Sequence, residues 1–405
     1  MRKVALALLA LPPAAMATPR ADLALHWAPI FYQETHDPVK DLYSAYDFDG
    51  DWDGDNNAEN MACYAKGGCP SAKCDGQGCP LVATVYYAVF ETATHWFIQY
   101  MPYHPLDWKL TSGHEHDTES VFAVVGKDGS PFGALQALET RFHIWWLDFA
   151  DGQSVTNGAA SLTGPIHYDQ SSGRPAVYVQ MVGHGICGGF SPPNYVDPEL
   201  SLTCDGATPP HIDKDGVVYH PDLAPSMPQV TSGVVMAGYT LVDNMDVVWP
   251  HIHEIGAGKA FKSAVDYGGE RCATFACPKQ FGGPWEGDEG SSPAEPWAQP
   301  GGSGVSADGD QFFDPAYAMS KRLKFPMPFS LDYCWNPYLA ITTGCPGDQA
   351  PDLLTAAADA RVSDGGAMAP VAGGCGCRLG PSPLGKLRLF ILVAIAVLLV
   401  ARRRR

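Results

Sequence analysis

The sequence predicts an all-β protein built as an antiparallel β-sandwich with long loops. Short runs rich in β-branched and aromatic residues recur along the chain, and Gly, Pro, Asn and Asp separate them. Few stretches show a sustained helical period, and no internal repeat stands out. Short strands punctuated in this way are typical of antiparallel sandwiches. The expected strands span residues 81–89, 95–100, 121–125, 142–149, 177–182 and 234–242.

The amino terminus has the pattern of a secretory signal peptide, which we assign to residues 1–17. Arg2 and Lys3 form a basic start, and residues 4–11 are apolar. Ala15-Met16-Ala17 then provides a small-residue cleavage site. We therefore expect an exported protein.

The rest of the chain divides into three segments by composition. Residues 18–346 are expected to form the sandwich domain, because their length can bury a sizeable core. Residues 347–374 are rich in Ala, Gly and Asp, which predicts a flexible stalk. Residues 375–405 form a C-terminal segment with a short hydrophobic helix.

The C-terminal segment combines Cys375 and Cys377 with an apolar run at 389–401 and four arginines at 402–405. The run is shorter than the roughly 17–25 residues of a stable transmembrane helix, and its arginines would lie on the cytoplasmic side. This arrangement resembles the MYXO-CTERM sorting signal of myxobacterial surface proteins. The resemblance implies an inner-membrane precursor, cleavage by a membrane protease near Cys375 or Cys377, and display on the outer-membrane surface. An uncleaved anchor helix is the alternative.

The charge balance narrows the choice of partners. The chain carries a formal net charge of −18, and both terminal signals are basic, so the displayed portion is still more acidic. An acidic surface repels nucleic acid and anionic lipid, and it attracts divalent cations. We therefore expect no nucleic-acid partner.

Cysteine usage agrees with export. Ten cysteines precede the C-terminal segment, and an even number in an exported chain predicts disulfide bonds. A zinc site among the first four is the alternative, although their spacing is not Cys-x-x-Cys. The ten fall in sequence-near pairs, Cys63/Cys69, Cys74/Cys79, Cys187/Cys204, Cys272/Cys277 and Cys334/Cys345.

A cluster of His and acidic residues at 113–119 predicts a divalent metal site. Asp117 and Glu119 would share one face of a strand, because side chains alternate with period two. His114 can join that face if a turn precedes the strand. Carboxylates with one imidazole suit Ca²⁺, Mg²⁺ or Mn²⁺ better than zinc. The alternative is a solvated polar loop.

A second acidic segment matches the first half of a calcium loop. Asp49, Asp51, Asp53 and Asp55 alternate along it, and Gly54 permits a sharp turn. Asn60 occupies the twelfth position, where an EF-hand carries Glu. The segment is therefore either a Ca²⁺-stabilised loop outside the EF-hand class or a solvated acidic turn.

Other histidines are weaker candidates. His184 lies between two glycines after an expected strand, an open position from which it could act as an acid or base. His251 and His253 could form a metal pair with Glu254, although Pro250 favours a structural loop. The sequence contains no Gly-x-Ser-x-Gly elbow, phosphate loop or dinucleotide fingerprint, which argues against the standard hydrolases and nucleotide enzymes.

Two segments together resemble a known family. Residues 100–107 (YMPYHPLD) followed by 113–119 (GHEHDTE) are similar to the signature of the necrosis- and ethylene-inducing-like proteins. Residues 27–31 and the strand that ends in His184-Gly185 also resemble a broader group, the vacuolar protein sorting-associated protein 62-like superfamily. The likeness extends over about residues 25–255.

The family resemblance implies a β-sandwich that holds a metal. Its ligand positions fall on Asp107, His114, Asp117 and Glu119, and His116 takes the position of a second histidine beside the cation. This sequence has Glu115 where the family has Arg, and Thr118 where it has Trp. Because of these two differences, the resemblance implies metal binding but not the membrane-damaging activity or the sphingolipid target of the family.

These observations predict a surface-displayed protein that uses a divalent metal to bind a polar ligand, such as a glycan or a lipid headgroup. The cation would bridge protein carboxylates and ligand oxygens. A metal-dependent hydrolase, with His116 or His184 moving protons, is one alternative. A structural surface protein that uses Ca²⁺ for rigidity is another, and it is favoured if no ligand pocket adjoins the metal.

Overall fold

The computed structural model describes residues 19–65, 79–109, 113–143, 145–197, 203–261, 263–266, 280–283 and 310–345. The predicted signal peptide, stalk and sorting signal lie outside these residues. All of the described residues belong to one compact unit. Within the described part, no helix is long and apolar enough to cross a membrane.

The chain forms eighteen strands and four α-helices in the described part. The helices are α1 Arg20–Trp27, α2 Asn57–Ala65, α3 Asp310–Phe313 and α4 Pro315–Arg322. The first nine strands are β1 Ile30–Glu34, β2 Thr84–Thr92, β3 His95–Asp107, β4 His114–Thr118, β5 Val121–Gly126, β6 Ala134–Phe142, β7 Trp145–Ala150, β8 Thr156–Asn157 and β9 Leu162–Gly164. The others are β10 Ala176–Val179, β11 Ile186–Cys187, β12 Gly216–Pro225, β13 Val234–Gly238, β14 Thr240–Asp243, β15 Ser263–Asp266, β16 Gln280–Gly283, β17 Leu323–Lys324 and β18 Tyr333–Trp335.

Two large sheets carry the fold. The smaller sheet has the strand order β11-β10-β1-β12-β13. The larger has the order β14-β2-β3-β5-β6-β7-β9, with β18 beside β2 and β4 beside β3. Two further pairs, β15-β16 and β17-β8, are separate two-stranded sheets. The prediction of a β-rich sandwich is therefore confirmed.

Apolar residues on both faces of the larger sheet explain its central position. In β2, Val85 and Tyr87 belong to a core shared with the smaller sheet, which contributes residues such as Tyr219. The alternate residues Tyr86 and Phe90 belong to a second core, which α3 and α4 cover from the other side. Because side chains alternate along a strand, the continuous apolar run buries both faces.

The two large sheets are mixed, whereas the sequence predicted antiparallel pairing. Strands β2, β3, β5, β6 and β7 form an antiparallel series as expected. Four other pairs are parallel: β1-β10, β12-β13, β14-β2 and β7-β9. Parallel neighbours need long connections, and pairing between strands so distant in the chain leaves no local signal in the sequence.

Two expected strands are each divided in two. The run 142–149 contains the turn between β6 and β7, where His143 has a φ of 55°. The run 234–242 divides into β13 and β14, which belong to different sheets. In both cases the apolar pattern continues through a chain reversal or a change of sheet, so periodicity does not locate the break.

Disulfide bonds occur as predicted where the structure describes both cysteines. Cys187 bonds to Cys204 with a Cα–Cα distance of 5.8 Å, and Cys334 bonds to Cys345 with a distance of 4.9 Å. Cys79 is also disulfide-bonded. Disulfides indicate an oxidising, extracellular compartment. The predicted partners Cys69, Cys74, Cys272 and Cys277 lie outside the described residues, as does the side chain of Cys63.

Candidate functional site

The predicted site residues lie at one end of the sandwich, where several chain segments meet. Asp107 is the last residue of β3, and β4 pairs with that strand so that His114 lies opposite Asp107. His143 occupies the β6–β7 turn, and its backbone N–H donates to Glu119 Oε1 at 3.1 Å. His184 lies in the connection between β10 and β11. The two sheets thus bring together residues from distant parts of the chain.

Backbone strain is concentrated at this end. Of the five non-glycine residues with positive φ in the described part, four are His116, His143, Val182 and His184, with φ between 52° and 74°. Val182 has a φ of 74°, a conformation that is sterically costly for a β-branched residue. Such strain persists only where the surrounding contacts enforce it, and it is common at functional sites.

His184 is held by two buried carboxylates. Its Nδ1 donates to Asp117 Oδ2 at 2.7 Å, and its Nε2 donates to Asp41 Oδ1 at 3.1 Å. Burial alone would lower the pKa of His184, but the hydrogen bonds and charges of Asp117 and Asp41 outweigh it and raise the pKa to about 9. The imidazole is therefore a buried cation that orients Asp117.

Asp41 is a site residue that the sequence does not reveal. Its Oδ2 accepts the backbone N–H groups of His36 and Asp37 at 2.7 and 2.9 Å. Its Oδ1 accepts Trp108 Nε1 and the Val182 N–H, both at 2.8 Å. Burial opposes ionisation, but the bonds from His184 and these donors lower the pKa of Asp41 overall. One carboxylate thus ties three loops together.

His104 stacks on His184, with ring centroids 3.5 Å apart and planes 7° from parallel. Its Nε2 lies 3.0 Å from Gln33 Oε1. The Gln33 amide nitrogen donates to the carbonyls of Glu34 and Gln180, so Gln33 Oε1 is the acceptor and His104 Nε2 carries the proton. The lone pair therefore lies on Nδ1, a buried atom without a hydrogen-bond partner.

The compact donor group at this end differs from the predicted ligand set. Donor atoms of His104, Asp117 and His184 lie within 4.8 Å of one another. His104 belongs to the 100–107 segment that carries the family resemblance, so its position in the sequence was a signal that could have identified it. A second donor group combines Glu91 with Cys334 and Cys345. These two cysteines are close because they form a disulfide bond, so this group is not a metal site.

The four predicted ligands, Asp107, His114, Asp117 and Glu119, are all buried. Asp107 Oδ2, Asp117 Oδ1 and Glu119 Oε2 are buried oxygens without a hydrogen-bond partner. Burial raises the pKa of Asp107, and burial together with the Asp117 charge raises that of Glu119. Buried carboxyl groups of this kind need a counter-charge to stay ionised and are otherwise protonated. Carboxylate oxygens with an imidazole are the donor types that suit a hard divalent cation. Among the described residues, however, no three of the four predicted ligands place donor atoms within 4.8 Å of one another.

His116, the other predicted catalytic candidate, belongs to a different group. Its Nδ1 lies 2.8 Å from the Tyr103 hydroxyl, and its ring packs near Tyr46 and Phe261 in the second core. Burial is the main cause that lowers its pKa to about 3, so the ring is neutral. Asp117, the next residue, has the opposite orientation because side chains alternate along β4.

The predicted calcium segment forms a loop that packs against β4. Asp49 is buried, and its Oδ2 accepts Asn60 Nδ2 at 2.6 Å. Asp51 and Asp53 accept the backbone N–H groups two residues ahead, at 3.2 and 3.3 Å, so each stabilises the loop itself. A Cβ added to Gly54 would lie 3.0 Å from His116 Cδ2. Calcium binding by this loop, Asp55 included, stays a prediction.

The His251 segment forms a structural loop, as its proline indicates. His251 ends a 3₁₀ turn, Trp249–His251, instead of lying on a strand. Its Nδ1 lies 3.0 Å from Glu254 Oε1, and its ring stacks on Trp52 at 3.9 Å. The stacking therefore packs the acidic loop, which contains Trp52, against the turn at His251.

No family model matches the chain, and no curated protein sequence matches it. Solved structures match part of it. A structure described as a toxin fold for microbial attack and plant defense is 17% identical, covers 42% of this chain and 72% of its own, and has a TM-score of 0.26. NLPPya in complex with glucosamine is 17% identical over 50% of this chain and 75% of its own, with a TM-score of 0.26. The non-toxic HaNLP3 protein is 16% identical over 49% and 80%, with a TM-score of 0.27.

Several of these structural neighbours are described as necrosis- and ethylene-inducing or toxin-fold proteins, the type to which the sequence shows its resemblance, and each covers about half of this chain or less. Their TM-scores are too low for the likeness to carry an argument about function. The resemblances to the vacuolar sorting group and to the sorting signal stay predictions.

The contacts of Asp41 predict that this residue makes a large contribution to the stability of the fold. Asp41→Asn should lower the free energy of unfolding by about 3–5 kcal/mol, because it removes the charge that balances the His184 cation and replaces one of two accepting oxygens with a donating NH₂ group. Asp37→Asn should change it by less than about 0.5 kcal/mol, because Asn can still accept the N–H groups of its own turn. Urea denaturation of both variants provides the measurement.

The same comparison has a defined pH dependence. Because the folded-state pKa of Asp41 is lowered, its contribution is complete above the unfolded value of about 3.9 and is lost as the pH falls through the folded value. The stability gap between wild type and Asp41→Asn should therefore be largest between about pH 4 and 6.5 and narrow in acid. It should also narrow as the pH rises from 6.5 towards 9, because His184, whose pKa Asp41 helps to raise to about 9, then loses its proton. A gap that widened in acid would contradict this role of Asp41.

Proposed function

We propose that the chain is an exported protein that binds a polar ligand through a divalent metal at the loop end of its β-sandwich. The observation that supports the proposal most strongly is the set of three buried carboxylate oxygens, Asp107 Oδ2, Asp117 Oδ1 and Glu119 Oε2, which have no hydrogen-bond partner. Burying a carboxylate oxygen without a hydrogen-bond partner is costly, and a cation beside it would compensate for the lost water. Donor atoms of these three residues do not all lie within 4.8 Å of one another, so a bound cation would have to draw them together.

The residues around these oxygens have distinct roles in this proposal. Asp107, Asp117 and Glu119 would hold the cation together with His114. His184 and Asp41 would position Asp117 through the hydrogen bonds at 2.7 and 3.1 Å. Hydrogen-bonded outer partners of this kind orient metal ligands in many proteins. The bound metal would supply a Lewis-acidic centre for a ligand oxygen.

The ligand class follows from charge and chemistry. The chain is strongly acidic, so a neutral or cationic ligand rich in hydroxyl groups suits it better than a polyanion. A glycan has both properties, and a zwitterionic lipid headgroup has no net negative charge and offers phosphate oxygens to a metal. Glucosamine and mannosamine, each bound by one of the structural neighbours, serve as the first probes.

A structural metal is the second candidate, and one observation favours it. The predicted ligands are almost wholly inaccessible to solvent. Two cavities of about 420 and 180 Å³ are lined by residues such as Tyr32, Tyr168 and Leu135, and neither is lined by the predicted ligands. The hydrolase alternative has less support, because both His184 nitrogens are engaged and His116 lies in the second core.

The metal proposal is tested by calorimetry on the purified full chain. Mn²⁺, Mg²⁺ or Ca²⁺ should bind and raise the melting temperature. Asp117→Asn should weaken binding about tenfold or more, because it removes one ligand charge. Asp151→Asn is the matched control, since Asp151 is exposed and caps a turn that Asn can also cap. Equal affinity in wild type and Asp117→Asn would refute the site.

The ligand proposal is tested on the same protein with and without EDTA. Binding of glucosamine, mannosamine or phosphatidylcholine vesicles should require the metal and should be lost in Asp117→Asn. Metal binding without binding of any such probe would instead favour the structural role.

We also propose that the chain is processed and displayed on the cell surface, on the strength of its terminal sequences. The apolar run at 389–401 is short for a stable anchor. Mass spectrometry of protein shaved from the cell surface should therefore find a mature terminus near Cys375 or Cys377. The variant Cys375→Ala with Cys377→Ala should keep its C-terminal arginines, and the control Ser382→Ala should be processed normally. Recovery of Arg405 from the surface would contradict processing.

A further inference from the structure

Lys109 places a positive charge among the predicted metal ligands. Its Nζ lies 3.5 Å from Asp107 Oδ2, and its backbone N–H donates to Asp107 Oδ1 at 2.9 Å. The side chain is only 11% exposed. A lysine with so little exposure to solvent needs nearby anions or acceptors to compensate for the lost water.

His143 provides the ammonium with a neutral acceptor. The Lys109 ammonium lies 3.1 Å from His143 Nδ1, and His143 Nε2 lies 2.5 Å from Gln180 Oε1. Since the amide oxygen accepts from Nε2, the lone pair of the ring is on Nδ1 and faces Lys109. Burial, followed by the Lys109 charge, lowers the pKa of His143 to about 3, which keeps the ring neutral.

Gly183 leaves the space that the lysine occupies. A Cβ at position 183 would overlap Lys109 Cε and Nζ and would lie 3.0 Å from His143 Cε1. The glycine before His184 therefore has a packing role: it lets the lysine side chain run alongside the β10–β11 connection.

The charge of Lys109 acts on three predicted ligands. Burial is the largest influence on the pKa of Asp107 and raises it. The second largest is attraction to the Lys109 ammonium, which lowers the same pKa. The same ammonium also favours the charged forms of Asp117 and Glu119, although other groups have larger effects on both. Lys109 is thus a counter-charge for the oxygens that a divalent cation would bind.

We use the name carboxylate cluster for Asp107, Asp117 and Glu119. From this geometry we propose that Lys109 is a tethered counter-cation that lies beside this cluster in the metal-free protein and leaves it when a divalent metal binds. The inference rests on the proposed metal site and adds an affinity-determining residue to it. Since a unit charge and a divalent ion a few ångströms apart repel strongly, the two cannot share the cluster at full occupancy. Lys109 therefore lowers the metal affinity and stabilises the metal-free state.

Two variants separate this role from a general charge effect. Lys109→Met removes the ammonium and should tighten Mn²⁺ binding about tenfold, equal to about 1.4 kcal/mol. Gly183→Ala keeps the lysine but displaces its end from the cluster, so it should also tighten binding. Lys321→Met makes the same change in net charge on an exposed face of α4 and should leave the affinity unchanged.

Stability supplies an independent readout on the full chain. In EDTA, Lys109→Met should melt at a lower temperature than wild type, because the buried carboxylates lose their counter-charge, and saturating Mn²⁺ should remove this difference. If Lys109→Met and Gly183→Ala bind Mn²⁺ no more tightly than Lys321→Met, while Asp117→Asn still weakens binding about tenfold or more, the tethered-cation role is overturned and the metal site stands. If no variant binds any divalent ion, the metal site itself is refuted.

Discussion

Buried negative charge at one end of the sandwich is the constraint on which the rest of this structure depends. Asp41, Asp107, Asp117 and Glu119 are almost completely withdrawn from water. Carboxylates in such surroundings are stable only when cations or hydrogen-bond donors compensate for lost hydration. The His184 imidazolium compensates for Asp41 and Asp117. The ammonium of Lys109 lies near Asp107, and we propose that a divalent metal compensates for the remaining carboxylate charge.

The fold makes this arrangement possible because one apolar core joins the two sheets, and a second core packs α3 and α4 against the other face of the larger sheet. Those cores position the strand ends, from which the loops at this end of the sandwich extend. The positive φ angles of His143, Val182 and His184 belong to these loops. The favourable packing of the sheets therefore offsets the backbone strain and the buried charge of these loops. Strain that is offset elsewhere in the fold is common at functional sites.

The sequence revealed those parts of the site that depend on local pattern. The 113–119 segment concentrates chemistry within a few residues, and β4 places Asp117 on the face that His184 meets. Asp41 left no such signal, because its partners Trp108, Val182 and His184 are 67 to 143 residues away. Parallel strand pairing was missed for the same reason. His116 was assigned beside the cation by resemblance, whereas its contacts belong to the second core.

Anomalous diffraction from crystals soaked in Mn²⁺ tests the central claim most directly. The account predicts an ion about 2.0–2.6 Å from Asp107 Oδ2, Asp117 Oδ1 and Glu119 Oε2, with the His184 bonds to Asp41 and Asp117 intact. A fully occupied ion bound only at the acidic loop around Asp49, or no ion in the carboxylate cluster at saturating Mn²⁺, would contradict it.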